Sequence, residues 1–434
     1  MMQKALYPNN LKLLVKEAGL NIRGLSRDTG IPEGTLRDWA RGARVIPQKD
    51  RATLAQAIGC DVHDLAPNHK SDVQWVHLSS VADTEQNGRV VVGKMYGKEL
   101  ETMHASYNID ALASHNALHL MELANVDCFA VDDLITFTQS NSFAGWNRDD
   151  IFITRHSAPL AVPQDVETLR QEKLPAIQKD FVNSSHYRLA AYTPAFSDRR
   201  GLEVSLAPIG FHDFYALLPY LDDPLLTSSD GSKISVRDKY GHLAFTYSTS
   251  GPTCPIPAPV SLQCLIVTRD EQIILMQRSN TVAFYPNHWS ASFEETMDSA
   301  GLSPRGTIRS GDADFFACAL RGMEEEFGVP VDAVESIKIL SLNIEYLILT
   351  VGVVAIIKTR LTAQEIKSHW LTQAPDRNEA SKLATISTNL STALEKMFNG
   401  DELWHPTSRM RLLQFLFHRY GVGEVRGALA KLQS

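Results

Sequence analysis

The stretch ALRGMEEEFGV, residues 319–329, decides how the C-terminal half of this chain reads. Together with the residues before it, FFACALRGMEEEFG (315–328), it predicts a helix. Phe316, Leu320, Met323 and Phe327 recur at spacings of four, three and four and form one inward stripe, and Gly328 is a natural stop. Glu324, Glu325 and Glu326 are expected opposite that stripe, with Arg321 four residues before Glu325 and placed to pair with it.

Working outward, LQCLIVTRDEQIILMQRS (262–279) predicts a hairpin whose second strand ends at Arg278, and WSASFEETM (289–297) a strand with paired acids. Beyond the helix, SIKILSLNIEYLILTVGVVAIIKT (336–359) supplies long apolar strands and SRMRLLQFLFHRYG (408–421) a final amphipathic helix. This order resembles the Nudix hydrolase family over residues 260–425. The family's box is written G-x5-E-x7-R-E-U-x-E-E-x-G-U, with U a bulky apolar residue. Its second half matches here as Arg321, Met323, Glu325, Glu326, Gly328 and Val329.

The resemblance implies Mg²⁺ or Mn²⁺ held by Glu325 and Glu326, because hard cations favour carboxylate oxygens and neutralise a diphosphate under attack by water. It also implies a ligand site at Arg278, Glu294, Glu295 and Arg321 for a nucleotide or sugar diphosphate. The sequence departs from the pattern at several points. Gly322 stands where the box has a carboxylate, and Thr307 and Ala313 stand where it has Gly and Glu. Aligning Phe293-Glu294 with the family's Gly-Gly leaves about thirteen extra residues before the helix. Glu294, Glu295 or Glu379 could substitute as ligands, since carboxylates from separate elements can converge on one ion. Otherwise the acidic face is simply solvated.

At the other end, NNLKLLVKEAG (9–19), NIRGLSRDTG (21–30) and PEGTLRDWARG (32–42) predict three short helices, followed by DRATLAQAIG (50–59) and DVHDL (61–65). Leu25, Ile31, Leu36 and Trp39 are spaced to lock the second and third together around a glycine turn. The stretch SRDTGIPEGTLRDWARGAR (26–44) resembles the Cro/repressor-type helix-turn-helix family of DNA-binding domains. That resemblance implies double-stranded DNA as partner, with Glu33, Thr35, Arg37 and Asp38 toward base edges and Arg23, Arg41 and Arg44 toward phosphates. Two half-sites and hence a homodimer are expected. A helical protein-docking module is the alternative.

Charge supports the division. The chain of 434 residues carries a formal −8, but residues 1–70 hold eleven Lys/Arg against seven Asp/Glu, leaving −12 for the rest. A basic head on an acidic body favours nucleic-acid contact by the head alone. The first residues, MMQKALYPNN, lack an apolar signal core and no membrane-length apolar run follows, which reads as cytoplasmic with no membrane partner. Cys60, Cys128, Cys254, Cys264 and Cys318 are scattered without a CxxC pair, which reads as reduced thiols.

The middle is less legible. A linker is expected at 66–72, then strands at 89–97, 133–140, 150–156, 187–196 and 242–250, a helix over 111–126, and strand plus amphipathic helix across 202–221. His104, His115, His119 and His156 do not form a metal set, although His115 and His119 share a helical spacing of four. The expected fold is therefore multidomain: an all-α helix-turn-helix head (1–68), an α+β middle region (72–250) and an α/β/α Nudix-like C-terminal domain (260–434). The expected function is transcriptional regulation by a phosphorylated metabolite. A working pyrophosphatase with an autoregulatory helix-turn-helix is the rival.

Overall fold

A computed structural model describes residues 11–41, 46–60, 65, 89–95, 98–103, 120–122, 128–131, 142–178, 182–195, 201–241, 256–282, 284–303, 307–345, 348–398 and 403–433. Arg44, helix 61–65 apart from Leu65, the linker 66–72, the strands at 133–140 and 242–250, and His104, His115 and His119 fall outside the described residues.

The N-terminal unit is helical: α1 (Leu11–Glu17), α2 (Ile22–Thr29), α3 (Glu33–Ala40) and α4 (Gln48–Ile58). Asn21 caps α2 by accepting the Gly24 N–H at 2.8 Å, which satisfies one of the donors a helix start leaves open. Gly30 ends α2 at φ 72°, a conformation only glycine adopts without cost, and Ile31 and Pro32 lead straight into α3. Leu25, Leu36 and Trp39 are buried with Leu11, Val15 and Leu54 in one small core.

Next come an antiparallel pair, β1 (Arg89–Met95) and β2 (Lys98–Met103), then β3 (Leu120–Glu122) and β4 (Cys128–Val131). The helix expected over 111–126 is wrong at Leu120–Glu122, which is strand. β4 pairs with a long C-terminal strand and carries β3 as the next neighbour, so ladder bonds to a distant segment override the local helical spacing.

β5 (Ile151–Arg155), α5 (Gln164–Ile177), β6 (Ser185–Ala195) and β7 (Gly201–Gly210) follow, the strands ordered β5-β7-β6. The amphipathic helix expected after β7 is the short α6 (Phe211–Tyr215), succeeded by the β8–β9 pair (Leu226–Thr227, Lys233–Ile234) and α7 (Val236–Tyr240).

A nine-stranded mixed sheet dominates the C-terminal part. Its strands are β10 (Val260–Val267), β11 (Gln272–Arg278), β12 (Trp289–Ala291), β13 (Phe293–Thr296), β16 (Val334–Glu345), β17 (Thr350–Thr359) and β18 (Ala380–Ser387), with β3 and β4 at one edge. A small hairpin, β14 (Gly301–Leu302) and β15 (Ile308–Arg309), stands before α8 (Phe315–Phe327). α9 (Ala363–Thr372), α10 (Leu390–Phe398), α11 (Pro406–Tyr420) and α12 (Val422–Gln433) complete the chain.

Strand alternation explains the layering. On β10, Leu262, Cys264 and Ile266 enter the core shared with α8 and α9, whereas Leu265 and Val267 enter the core shared with α10, α11 and α12. Both faces are thus covered by helices, which is why β17 reads as an almost unbroken apolar run. The first of these cores also takes in Trp146, Val166, Leu206 and Phe214. Hydrophobic burial is therefore continuous between the middle strands and the C-terminal sheet. Backbone bonds reinforce the seam: Tyr187 N–H donates to Met297 O at 2.9 Å and Ser299 N–H to Ser185 O at 3.0 Å. No helix among the described residues is long and apolar enough to cross a membrane. Cys60, Cys264 and Cys318 are free thiols.

Candidate functional site

Strand β13 and helix α8 build the acidic centre. Successive side chains on a strand point to opposite faces, so Phe293 and Glu295 turn toward α8 while Glu294 turns toward α11. A β-carbon on Gly322 would lie 2.3 Å from Phe293 Cε2 and 3.1 Å from Glu295 Cβ. The missing carboxylate therefore has a steric cause: Phe293 fills the space where a side chain at 322 would start.

Arg321 is the hub. Its Nη1 donates to Glu295 Oε1 at 2.8 Å and Glu325 Oε2 at 3.1 Å, its Nε and Nη2 grip Asp312 at 3.1 and 2.8 Å, and Nη2 also reaches Thr296 O at 2.8 Å. Burial opposes the Arg321 charge, but Glu295 and Asp312 outweigh it and raise its pKa. Burial pushes Glu295 up to about 8 against the pull of Arg321. The contact has the length of an ion pair, and desolvation works against the Glu295 charge more strongly than Arg321 supports it.

A second guanidinium comes from the extra residues. Arg309, on β15, donates to Glu325 Oε1 at 2.5 Å and Asp298 Oδ2 at 3.2 Å. Asp298 in turn faces His186 Nδ1 at 3.1 Å, and His186 Nε2 meets Ser184 Oγ at 2.7 Å. That Ser–His–Asp order has the connectivity of a nucleophilic relay. All three side chains are buried, however, with Ser184 at 1 % exposure, and Asp298 is also committed to Arg309. The chain of bonds serves as a seam between β6 and the segment after β13. Burial pushes Asp298 up, but His186, Arg321 and Arg309 more than offset it and hold it below the ordinary carboxylate range.

Glu326 departs from the expected solvated face. It is 7 % exposed, and burial, together with Glu379, Glu295 and Asp376, holds its carboxyl well above the ordinary range. Of the expected stripe, Phe316, Met323 and Phe327 are buried and Leu320 is only half-buried, whereas Phe315, Cys318, Ala319 and Gly322 are covered as well.

Two members of the expected ligand set are separated from Arg321. Glu294 lies on the other face of β13, bonded to Arg411 Nη2 at 2.7 Å and to Thr407 Oγ1. Burial pushes Glu294 up, but His405, Arg411 and Thr407 hold it below the usual value, while burial pushes His405 down to about 3. Arg278, at the end of β11, donates from Nε to Phe284 O at 3.0 Å.

A divalent cation needs ionised oxygens with free lone pairs. Both oxygens of Glu325 are taken by arginines, Glu326 is held toward its neutral form, and Gly322 offers nothing. As arranged, these residues do not fit Mg²⁺ or Mn²⁺. Among the described residues no group of three or more His, Cys, Asp or Glu is disposed to hold a metal ion.

Of the residues expected to meet DNA, Arg23, Glu33, Arg37 and Arg41 share one groove of the N-terminal unit, while Thr35 and Asp38 do not line it. Lys12, Lys16, Arg23, Glu33, Arg37 and Arg41 line an open groove of about 950 Å³. Arg37 pairs with Glu33 within α3, and Arg41, just past its end, pairs with Asp38 at 2.6 Å. Arg37 and Arg41 stay largely exposed, and Thr35 is half-buried.

Sequence reasoning missed Arg309, Asp298, Asp312 and His186. Asp312 is nine residues from Arg321 and stands out in the sequence only as a neighbour of the box, whereas His186 and Asp298 are 112 residues apart and leave no local trace.

No family model matches the sequence, and no curated protein does. Solved structures similar to part of the chain include DR0079 from Deinococcus radiodurans at 14 % identity and TM-score 0.26, covering 36 % of this chain and 83 % of that one. Tm1382, a candidate Nudix hydrolase, is similar at 15 % identity and TM-score 0.25, covering 47 % and 85 % respectively. The MutT protein from Methanosarcina mazei Go1 is similar at 15 % identity and TM-score 0.21, covering 38 % and 94 %.

Proposed function

We propose that this protein is a DNA-binding transcriptional regulator whose C-terminal Nudix-like domain senses a nucleotide or sugar diphosphate without hydrolysing it. The observation that carries the reading is the groove across α1–α3, where five cations face one carboxylate. The ion pairs at α3 and its end are exposed, and such pairs are worth only about 0–1 kcal/mol, so duplex phosphates could displace them at little cost. Glu33, Thr35, Arg37 and Asp38 would meet base edges, with Arg23, Arg41 and Arg44 on phosphates and a dimer spanning two half-sites. At the other end, two guanidiniums engage the acidic helix that a hydrolase would need free for its cation.

Selection of binding sites from random duplexes by the full-length chain, followed by gel shifts at several salt concentrations, tests the first half. Arg37→Ala/Arg41→Ala is expected to lower the salt slope by about 1 for each phosphate that the variant no longer neutralises. A protein-docking role predicts no shift with any duplex at low salt. Thermal shift against nucleoside and sugar diphosphates tests the second half.

The match of Arg321, Glu325, Glu326 and Gly328 to the box keeps a working pyrophosphatase as the second reading. It predicts multiple turnover on such a panel with Mg²⁺ or Mn²⁺, abolished in Glu326→Gln.

A further inference from the structure

The inserted segment between β13 and α8 does more than lengthen a loop. Asp312 N–H donates to Asp298 O at 2.8 Å and Asp312 Oδ2 accepts the Asp298 N–H at 2.7 Å, closing the base of the β14–β15 hairpin. The Gly301–Arg309 pairing fixes the backbone from which Arg309 projects. The bonds of Tyr187 and Ser185 to Met297 and Ser299 hold this base against β6. Arg309 is thus positioned by three separate elements.

One end of its guanidinium touches Glu325 Oε1 and Asp298 Oδ2 together, so it occupies the space between those two carboxylates. Arg321 takes the other Glu325 oxygen and also approaches Asp298 Oδ2, at 3.9 Å. Between them the two arginines bring two positive charges to the acids of this face, which equals the charge of one divalent ion. A hard cation of the Mg²⁺ type is held by one or two carboxylates together with waters and, where present, substrate phosphates, and Glu325 with Asp298 would supply the carboxylates.

We propose that Arg309 is a built-in substitute for a divalent metal: it fills the gap between Glu325 and Asp298, and the site acquires Mn²⁺ only when Arg309 is removed. The inference concerns the α8 face alone and is independent of whether α1–α4 meet DNA. It also gives the middle region a task, since β6 holds in place the hairpin that delivers the arginine.

The test is titration of the full-length chain with Mn²⁺ alone, read by loss of the free-ion electron paramagnetic resonance signal. The wild type is expected to show no stoichiometric site. Arg309→Gln is expected to bind one Mn²⁺ per chain about tenfold or more tightly than the wild type takes up the ion, as expected when one like charge is withdrawn from a partly buried site. Glu325→Gln in that background is expected to abolish the gain. Arg309→Lys retains the charge and is expected to behave as the wild type. Should Arg309→Gln be poorly folded, Mn²⁺ is expected to raise its Tm while leaving that of the wild type unmoved. Stoichiometric Mn²⁺ binding by the wild type that depends on Glu325 would overturn the proposal. So would a Gln variant, folded or not, on which Mn²⁺ has no effect in either measurement.

Discussion

Phe293 and Gly322 exclude one another's side chains: with the phenylalanine ring fully buried against α8, position 322 has room only for hydrogen. In an ordinary helix interior, Gly→Ala gains about 1 kcal/mol. Here Gly322→Ala is expected instead to cost roughly 1–3 kcal/mol by overpacking, read as a lower urea midpoint. Phe293→Leu should cost stability alone but recover part of the loss in the Gly322→Ala background. Additive effects in that double-mutant cycle would mean that the two positions do not compete for space.

Glu295 gives a pH dependence of known sign. Its folded-state pKa lies near 8, above the ordinary carboxyl value of 4.5, so the protonated form is favoured in the folded chain. Its contribution is therefore complete below pH 4.5 and is lost as pH rises toward 8. Glu295→Gln keeps the shape and cannot ionise. Relative to the wild type it should gain stability as pH rises through that window, at a slope of at most about 1.4 kcal/mol per pH unit. Thermal melts at pH 5 through 8 would show the curves diverging, and parallel curves would refute the assignment.

Asp314 behaves oppositely. It caps α8 by accepting the Ala317 N–H at 2.7 Å and receives Arg148 at 2.7 and 2.9 Å. Burial pushes it up, but these bonds outweigh burial and hold its pKa below the ordinary 3.8. The stability it adds is present above pH 3.8 and disappears as pH falls through the lowered value. Asp314→Ala is expected to cost about 0.5–2 kcal/mol near neutral pH in denaturant titrations, with a smaller difference in acid.

Gly34 separates stability from binding. A β-carbon there would meet nothing within 4 Å, on the open side of α3. Gly34→Ala should leave the fold intact and raise stability by up to about 1 kcal/mol. If α3 enters a major groove, the same change should weaken duplex affinity by crowding the approach. Unchanged affinity on the selected duplex would argue against this face as the reading surface.

Sequence alone determined the elements whose cause is local. Asn21 and Gly30 bracket α2 because a side-chain acceptor and a residue free to take positive φ act within a few positions of themselves. The period of α8 likewise announced Phe316, Met323 and Phe327 as covered positions, though Leu320 is only half-buried and Glu326 is buried against expectation. Even the anomaly at Gly322 was visible as a letter in a pattern. Its reason was not, because Phe293 is 29 residues away and only packing brings the ring beneath it. Arg309 meeting Glu325, and His186 meeting Asp298, belong to the same class. Burial and electrostatic satisfaction act through space, so whether an acidic helix faces water, a cation or the protein's own arginines was decided by the tertiary fold.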